Sequence, residues 1–124
     1  MQYMLLIYNN ESMMKNAGPG ERDAMFKAYA EFTQAIVSSG HMKAGDALQP
    51  TSTATTVRVR DGKTLSTDGP FAETKEQLGG YYLIEARDLD EATKIAARIP
   101  GARSGAIEVR PVMELPPDYP RPRR

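Results

Sequence analysis

The chain has 124 residues, with 16 basic and 16 acidic side chains, one histidine and no cysteine. This length suits a single domain, and the zero formal charge argues against a nucleic-acid binder that works by neutralising phosphates. The lack of cysteine excludes disulfides, thiolate nucleophiles and zinc–thiolate sites. No stretch approaches the roughly 20 apolar residues that span a bilayer. The sequence therefore predicts a cytoplasmic protein with no membrane partner and no nucleic-acid partner.

The first predicted strand, Gln2–Tyr8, is apolar on both faces. Such a strand is typical of a central position in a sheet that is covered on both sides. A loop containing Asn9, Asn10 and Gly18 is expected to follow it.

A helix is predicted over Glu21–Ser39, because its hydrophobic residues recur at steps of three and four. Glu21 lies in the first turn, where a carboxylate suits the helix dipole, and Gly40 is a natural stop. The predicted apolar stripe consists of Met25, Ala28, Tyr29, Phe32, Ala35 and Ile36.

A β-hairpin is predicted in the middle of the chain. Thr55–Arg60 alternates between apolar and polar residues, with Val57 and Val59 expected to point inward. Asp61-Gly62 is the dipeptide favoured in two-residue hairpin turns, and Lys63–Thr67 would return as the second strand.

Three further strands and one helix complete the pattern. A weak strand is expected at Met42–Leu48, and Tyr81–Ala86 is again apolar on both faces. Asp88 has the features of a helix N-cap, with Glu91 completing a capping box, and this helix should stop at Pro100-Gly101. The last strand is predicted at Ala106–Arg110.

This order predicts the fold class α+β: a ferredoxin-like βαββαβ unit with an inserted β-hairpin. Both helices should pack on one face of the sheet, yet two central strands are apolar on both faces. The second face would be a large exposed apolar patch, which soluble monomers rarely carry. We therefore expect a homodimer formed through that sheet face.

The end of the chain has a different composition. Residues 111–124 contain five of the nine prolines and finish with three arginines among the last four residues. We expect a domain over residues 1–113 and a Pro/Arg-rich tail over residues 114–124, running as a polyproline-type arm.

The most distinctive stretch runs from Asp68 to Tyr82 and reads DGPFAETKEQLGGYY. With the first strand, the run Ala54–Arg58 and the Gly79–Leu83 strand before an acidic helix cap, it resembles the YCII-related (YciI-like) family, in the branch named for its Asp-Gly-Pro-Phe motif. The resemblance spans nearly the whole chain. It implies a ferredoxin-like fold that dimerises through its sheets into an α+β barrel.

The resemblance implies little about activity. Members of this branch are often encoded beside extracytoplasmic-function sigma factors. Elsewhere in the family a histidine on the first helix, near an acidic residue, is associated with catalysis. This chain departs from that pattern, because the corresponding turn holds Ala28 and Tyr29. That acid–base site is therefore not carried over.

The motif stretch supplies the candidate ligand-binding residues. Asp68 and Pro70 suit a turn, Phe71 is expected to anchor the loop in the core, and two glycines permit a bulge at the strand entrance. A structural role and a pocket-lining role both stay open for this segment. The candidate ligand-binding residues are Asp68, Phe71, Glu73, Lys75, Gly80 and Tyr82.

His41 and Asp68 are the weak candidates for catalysis. His41 is the single histidine and follows Gly40 at a helix end, where a capping role is favoured over that of general base. One histidine cannot build a multi-histidine metal site, no nearby serine suggests a triad, and we expect neither a metal centre nor a cofactor.

Two hypotheses for function follow. The first is a small-molecule-binding protein with a pocket near the Asp68–Glu76 loop and unassigned enzymatic turnover. The alternative is a non-catalytic homodimeric regulatory or interaction module, linked to a sigma-factor system.

Overall fold

The structure, a computed structural model, describes residues 1–121. Within them the strands are β1 Gln2–Asn9, β2 Met42–Ala47, β3 Thr55–Arg60, β4 Lys63–Asp68, β5 Gln77–Glu85 and β6 Ala106–Pro111. The helices are α1 Glu11–Lys15, α2 Pro19–Ser38 and α3 Leu89–Ala96, with short 3-10 turns at Thr51–Thr53 and Pro100–Arg103.

The main sheet has four antiparallel strands in the order β2-β5-β1-β6. Leu5 at the centre of β1 pairs with Tyr82 of β5 on one side and Val109 of β6 on the other. The chain is α+β, and this strand order is consistent with the ferredoxin-like fold that the sequence predicts.

One face of the sheet packs against α2 and α3. Leu5, Ile84 and Ile36 have no exposed surface, and the Phe32 ring meets the Tyr82 ring edge-on at 5.2 Å. The predicted stripe of α2 faces this core, and Asp88 caps α3 as expected, accepting from the Glu91 N–H at 2.9 Å. The buried cluster comprises Tyr3, Leu5, Ile7, Phe32, Ile36, Tyr82, Ile84, Ala86, Ala92, Ile95, Ala96 and Ile99.

The other face of the sheet is also apolar at its centre. Met4 and Leu6 of β1 alternate with the core residues and are half-buried, and Leu83 of β5 is only 3% exposed. None of these three belongs to the cluster beneath the helices. The prediction that β1 and β5 are apolar on both faces is therefore confirmed.

The predicted hairpin forms, but its valines do not point inward. Asp61 and Gly62 both have positive φ, 52° and 74°, as a two-residue hairpin turn requires. β3 and β4 make a separate two-stranded sheet, and Val57 and Val59 are 62% and 60% exposed. The inward orientation was wrong: alternation shows which face of a strand is apolar, and no element within residues 1–121 covers that face.

The loop predicted after β1 contains a short helix instead. The Asn10 side chain accepts from the Ser12 N–H at 2.9 Å and so caps α1. α2 begins at Pro19 rather than Glu21, because proline at the first helical position lacks only an N–H that would be unpaired anyway. α3 ends at Ala96, four residues before the predicted stop, and a 3-10 turn takes up Pro100.

β5 begins four residues earlier than predicted. Its pairing with β1 continues past an irregularity between Ile7 and Tyr8, opposite the paired glycines. A Cβ on Gly80 would lie 2.9 Å from the Asp46 carbonyl oxygen, so this strand needs glycine there.

The tail leaves the sheet through a hydrogen bond from Val112 N–H to the Gln2 carbonyl, 2.9 Å. Tyr119 N–H then donates to the Pro116 carbonyl, which makes a turn where a continuous polyproline arm was expected. Residues 122–124 of that predicted tail lie outside the described residues. None of the helices within residues 1–121 has the length and apolar character needed to cross a membrane.

Candidate functional site

His41 lies where the end of α2 meets the start of α3. The α2 end is a Schellman motif: Gly40 has φ +80°, and the His41 N–H donates to the Ile36 carbonyl at 3.0 Å. The imidazole Nδ1 is 2.6 Å from Ser39 Oγ, and Nε2 is 3.4 Å from Glu91 Oε1. The expectation that no serine lies near His41 was wrong, since Ser39 precedes the histidine by only two residues.

The order hydroxyl, imidazole, carboxylate is that of a nucleophilic triad, but its members also take part in helix caps. The Ser39 hydroxyl lies within hydrogen-bond distance of the Ile36 carbonyl, at 3.2 Å, as well as of the imidazole. Glu91 accepts from the Arg87 backbone N–H at 3.0 Å and pairs with the Arg87 guanidinium at 3.1 Å. That backbone hydrogen bond, with smaller contributions from Arg87 and His41, lowers the pKa of Glu91 below its usual 4.5. These contacts connect the end of α2 to the start of α3.

The Asp68–Glu76 loop is exposed along most of its length. The prediction that Phe71 anchors this loop in the core is wrong, because that side chain is 78% exposed. Asp68, Glu73 and Lys75 are also exposed. The loop is fixed at its start, where Thr56 Oγ1 donates to the Gly69 carbonyl at 2.8 Å.

The other two predicted ligand-binding residues lie within β5. Gly80 is buried against β2, and Tyr82 points to the helix side, with its hydroxyl 2.7 Å from Thr33 Oγ1. The predicted residues thus occupy two places, an exposed loop and the interior of the sheet. None of them lines the cleft described next.

A partly enclosed cavity of about 160 Å³ lies at the carboxyl end of β1, beneath α1 and beside the first turns of α2. We call it the Asn9 cleft. Its lining includes three methionines, two asparagine amides, the Ser104 hydroxyl and the charged side chains of Glu21 and Arg22. We call the part formed by Asn9 and Ser104 its floor. The lining residues are Asn9, Asn10, Met13, Met14, Ala17, Glu21, Arg22, Met25 and Ser104.

Two glycines allow the floor of the cleft to form. A Cβ on Gly101 would lie 2.6 Å from the Tyr29 hydroxyl and 2.8 Å from Asn9 Nδ2, and one on Gly105 would overlap the Tyr8 carbonyl. Ser104 Oγ donates to Asn9 Oδ1 at 3.0 Å and so orients the amide. Within residues 1–121 the Asn9 Nδ2 group has no acceptor.

Tyr29 of α2 lies beside this floor. Its hydroxyl accepts from the Gly101 N–H at 3.2 Å. Burial raises the pKa of Tyr29 above 10.0, against the opposing effect of that hydrogen bond, so the hydroxyl stays protonated at neutral pH.

The α1 wall of the cleft is held by Glu11. The Glu11 carboxylate accepts from the Thr51 N–H and hydroxyl at 2.8 and 2.7 Å, and its own N–H donates to Gln77 Oε1 at 2.9 Å. On the α2 side, Arg22 donates to the Lys15 carbonyl at 3.1 Å. α1 is therefore connected to Gln77, the first residue of β5, which directly follows the Asp68–Glu76 loop.

The cleft offers hydrogen-bond donors and apolar surface. Within residues 1–121 no group of three or more His, Asp or Glu side chains could hold a metal ion. Asn9, Ser104 and Tyr29 were not predicted to form a site; the sequence signal for it is the asparagine pair that directly follows an apolar strand.

Comparison with known proteins identifies the family of this chain. A sequence model of the YCII-related domain matches residues 1–116. An uncharacterized protein of Rhizobium meliloti is 39% identical over 114 residues, which cover 90% of this chain and 92% of that protein. The family match includes every strand and helix described above. The chain therefore belongs to the YCII-related family.

Proposed function

We propose that the protein is a homodimer that binds a small molecule in the Asn9 cleft. The observation that supports binding most directly is the oriented amide of Asn9, which lines a partly enclosed cavity together with three methionines. A cavity of about 150 Å³ accommodates a benzene-sized molecule. A compact ligand with an apolar body and a carbonyl or carboxylate acceptor fits this chemistry.

The Asp68–Glu76 loop belongs to the same proposal. Through the Glu11–Gln77 hydrogen bond it is joined to the α1 wall, so a ligand that moves α1 also moves the end of the loop. That Asp68, Phe71, Glu73 and Lys75 contact the ligand stays a prediction, as does a ligand role for Gly80 and Tyr82. Membership of the Asp-Gly-Pro-Phe branch and a cytoplasmic location are part of the proposal too.

Dimerisation is supported by the second face of the sheet. Met4, Leu6 and Leu83 form an apolar centre on the side away from α2 and α3. Polar pairs flank it, with Tyr81 donating to Asp46 at 2.7 Å and Tyr8 donating to Glu108 at 3.4 Å. We expect light scattering at tens of micromolar to give twice the chain mass; a monomer would contradict this part of the proposal.

The binding proposal is tested by filling the cleft. Ala17 lines the cavity and Ala24 lies on the exposed side of α2, so Ala17→Leu and Ala24→Leu add the same volume at different places. In a thermal-shift screen of small carboxylic acids, amides and ketones, we expect some compounds to raise the melting temperature of the wild type and of Ala24→Leu. The same compounds should not raise the melting temperature of Ala17→Leu. Hits that survive in Ala17→Leu would place the ligand elsewhere.

A regulatory or interaction module, linked to a sigma-factor system, is the second candidate. Its support is the exposed tail, where Met113 is 79% and Tyr119 is 52% exposed. A chain that ends at Met113 separates the two candidates: the tail-mediated form predicts loss of partner binding, whereas small-molecule binding in the Asn9 cleft should persist.

A further inference from the structure

Within residues 1–121, the β3–β4 hairpin contributes no residue to the buried core cluster. It shares no hydrogen bond ladder with the four-stranded sheet, and eleven of its twelve strand residues are exposed. An isolated two-stranded hairpin is marginally stable in water. A surface outside the monomer is therefore needed to hold it.

The hairpin and the loop that follows it carry opposite charges. Residues 55–67, the hairpin without Asp68 at the end of β4, contain three basic side chains and one acidic, a net charge of +2. Residues 68–76 contain three acidic side chains and one basic, a net charge of −2. Within residues 1–121 none of these charges takes part in an ion pair. Arg60 and Lys63 sit at the hairpin tip, about 15 Å along the strand from the loop's first residue.

Each of the two segments also exposes an apolar side chain beside its charges. Leu65 pairs directly with Arg58, so both lie on the same face of the hairpin as Arg60 and Lys63. Leu65 is 47% exposed and Phe71 of the loop is 78% exposed. A leucine and an arginine together form a suitable surface for an aromatic ring.

We propose that the arginine face of the hairpin in one copy of this chain packs on the Asp68–Glu76 loop of a second copy. A two-fold dimer forms such a contact twice, hairpin on loop and loop on hairpin. The charges select this crossed arrangement, because hairpin against hairpin brings two positive segments together and loop against loop brings two negative ones together.

This inference rests on the proposed homodimer and adds to it. The Asp68–Glu76 loop then lies at a junction that both copies build, and its predicted ligand-binding side chains have basic neighbours from the partner. A site on this loop is incomplete in one chain alone.

Charge reversal tests the crossed contact. Arg60→Glu with Lys63→Glu turns the hairpin from +2 to −2, and Glu73→Lys with Glu76→Lys turns the loop from −2 to +2. Each double variant should raise the dimer dissociation constant at least about tenfold at low salt, because attraction becomes repulsion in both contacts. A 1:1 mixture of the two variants should restore a heterodimer of wild-type affinity, and so should all four changes in one chain.

Two controls show which face of the hairpin makes the contact and whether the contact forms between two copies or within one chain. Val57→Thr with Val59→Thr alters the opposite face of the hairpin and should leave the dissociation constant unchanged. Restoration by mixing shows that the variants are folded, and it distinguishes a contact between copies from one within a chain. A contact within a chain would be restored only by the four changes together.

Sedimentation of these proteins gives a decisive result in either direction. A dimeric wild type whose affinity is unchanged by both reversals, or a mixture that stays dissociated, overturns the crossed contact and leaves the sheet-face dimer standing. Loss of the dimer in the valine variant alone would also overturn it. A monomeric wild type would overturn both the homodimer and the inference built on it.

Discussion

The four-stranded sheet and the β3–β4 hairpin are both regular antiparallel structures, but only the sheet packs against helices within residues 1–121. In β1, the alternate residues Tyr3, Leu5 and Ile7 are at most 7% exposed, whereas Val57 and Val59 of β3 are at least 60% exposed. The β3 sequence alternates between apolar and polar residues, whereas β1 is apolar on both faces, as predicted. Local sequence thus determines a strand and its apolar face, but burial depends on which element lies opposite, within the chain or beyond it.

The largest expected effect separates these two regions by stability. Leu5→Ala removes a fully buried side chain from the centre of the core and should cost about 2–5 kcal/mol of unfolding free energy. Val57→Ala, on an exposed face, should stay within about 0.5 kcal/mol at concentrations where the chain is monomeric. Urea denaturation of both variants measures this; equal losses would show that the hairpin is buried against the same core.

A smaller effect is expected at the start of α3, in the supported region. Asp88→Ala removes the acceptor of the Glu91 N–H and should cost about 1 kcal/mol. Asn10→Ala removes the matching cap of α1, which has no buried residue, and should affect global stability less. Thermal melts compare the two; a larger loss at Asn10 would show that α1 is part of the cooperative core.

The smallest effect is a pH dependence at Glu91. Because the folded-state pKa of Glu91 lies below 4.5, its charged form stabilises the fold above that pH and the contribution fades as the pH falls through the folded value. Glu91→Gln should therefore be less stable than the wild type at pH 7, with the gap closing below pH 4.5. Melting temperatures across this range test it; a gap that widens on acidification would contradict the assignment.

The sequence predicted the parts of the fold that depend on periodicity. The apolar stripe of α2, the Asp61-Gly62 turn and both doubly apolar strands are patterns of consecutive residues, and each is present. α1 was missed because five residues show no helical period, although the Asn10 cap was visible. Phe71 was misplaced because a hydrophobic residue in a loop does not reveal whether the core can reach it.

The candidate site could not be predicted, because it depends on residues that are distant along the chain. The Asn9 cleft joins the end of β1 to Ser104 and to the turns of α2, and its floor needs glycine at positions 101 and 105. Only the strand order brings these segments together. The Ser39–His41–Glu91 cluster was missed for the same reason, because Glu91 comes from another helix.

The pairing of β1 has a consequence for how the chain is made. β1 precedes the other strands of its sheet along the chain, yet its two neighbours are β5 and β6, which lie about 70 to 100 residues later. At about 5–20 residues per second, a ribosome takes several seconds to supply them. During that time β1, an apolar segment, lacks both of its sheet partners, and long-range pairing of this kind slows folding.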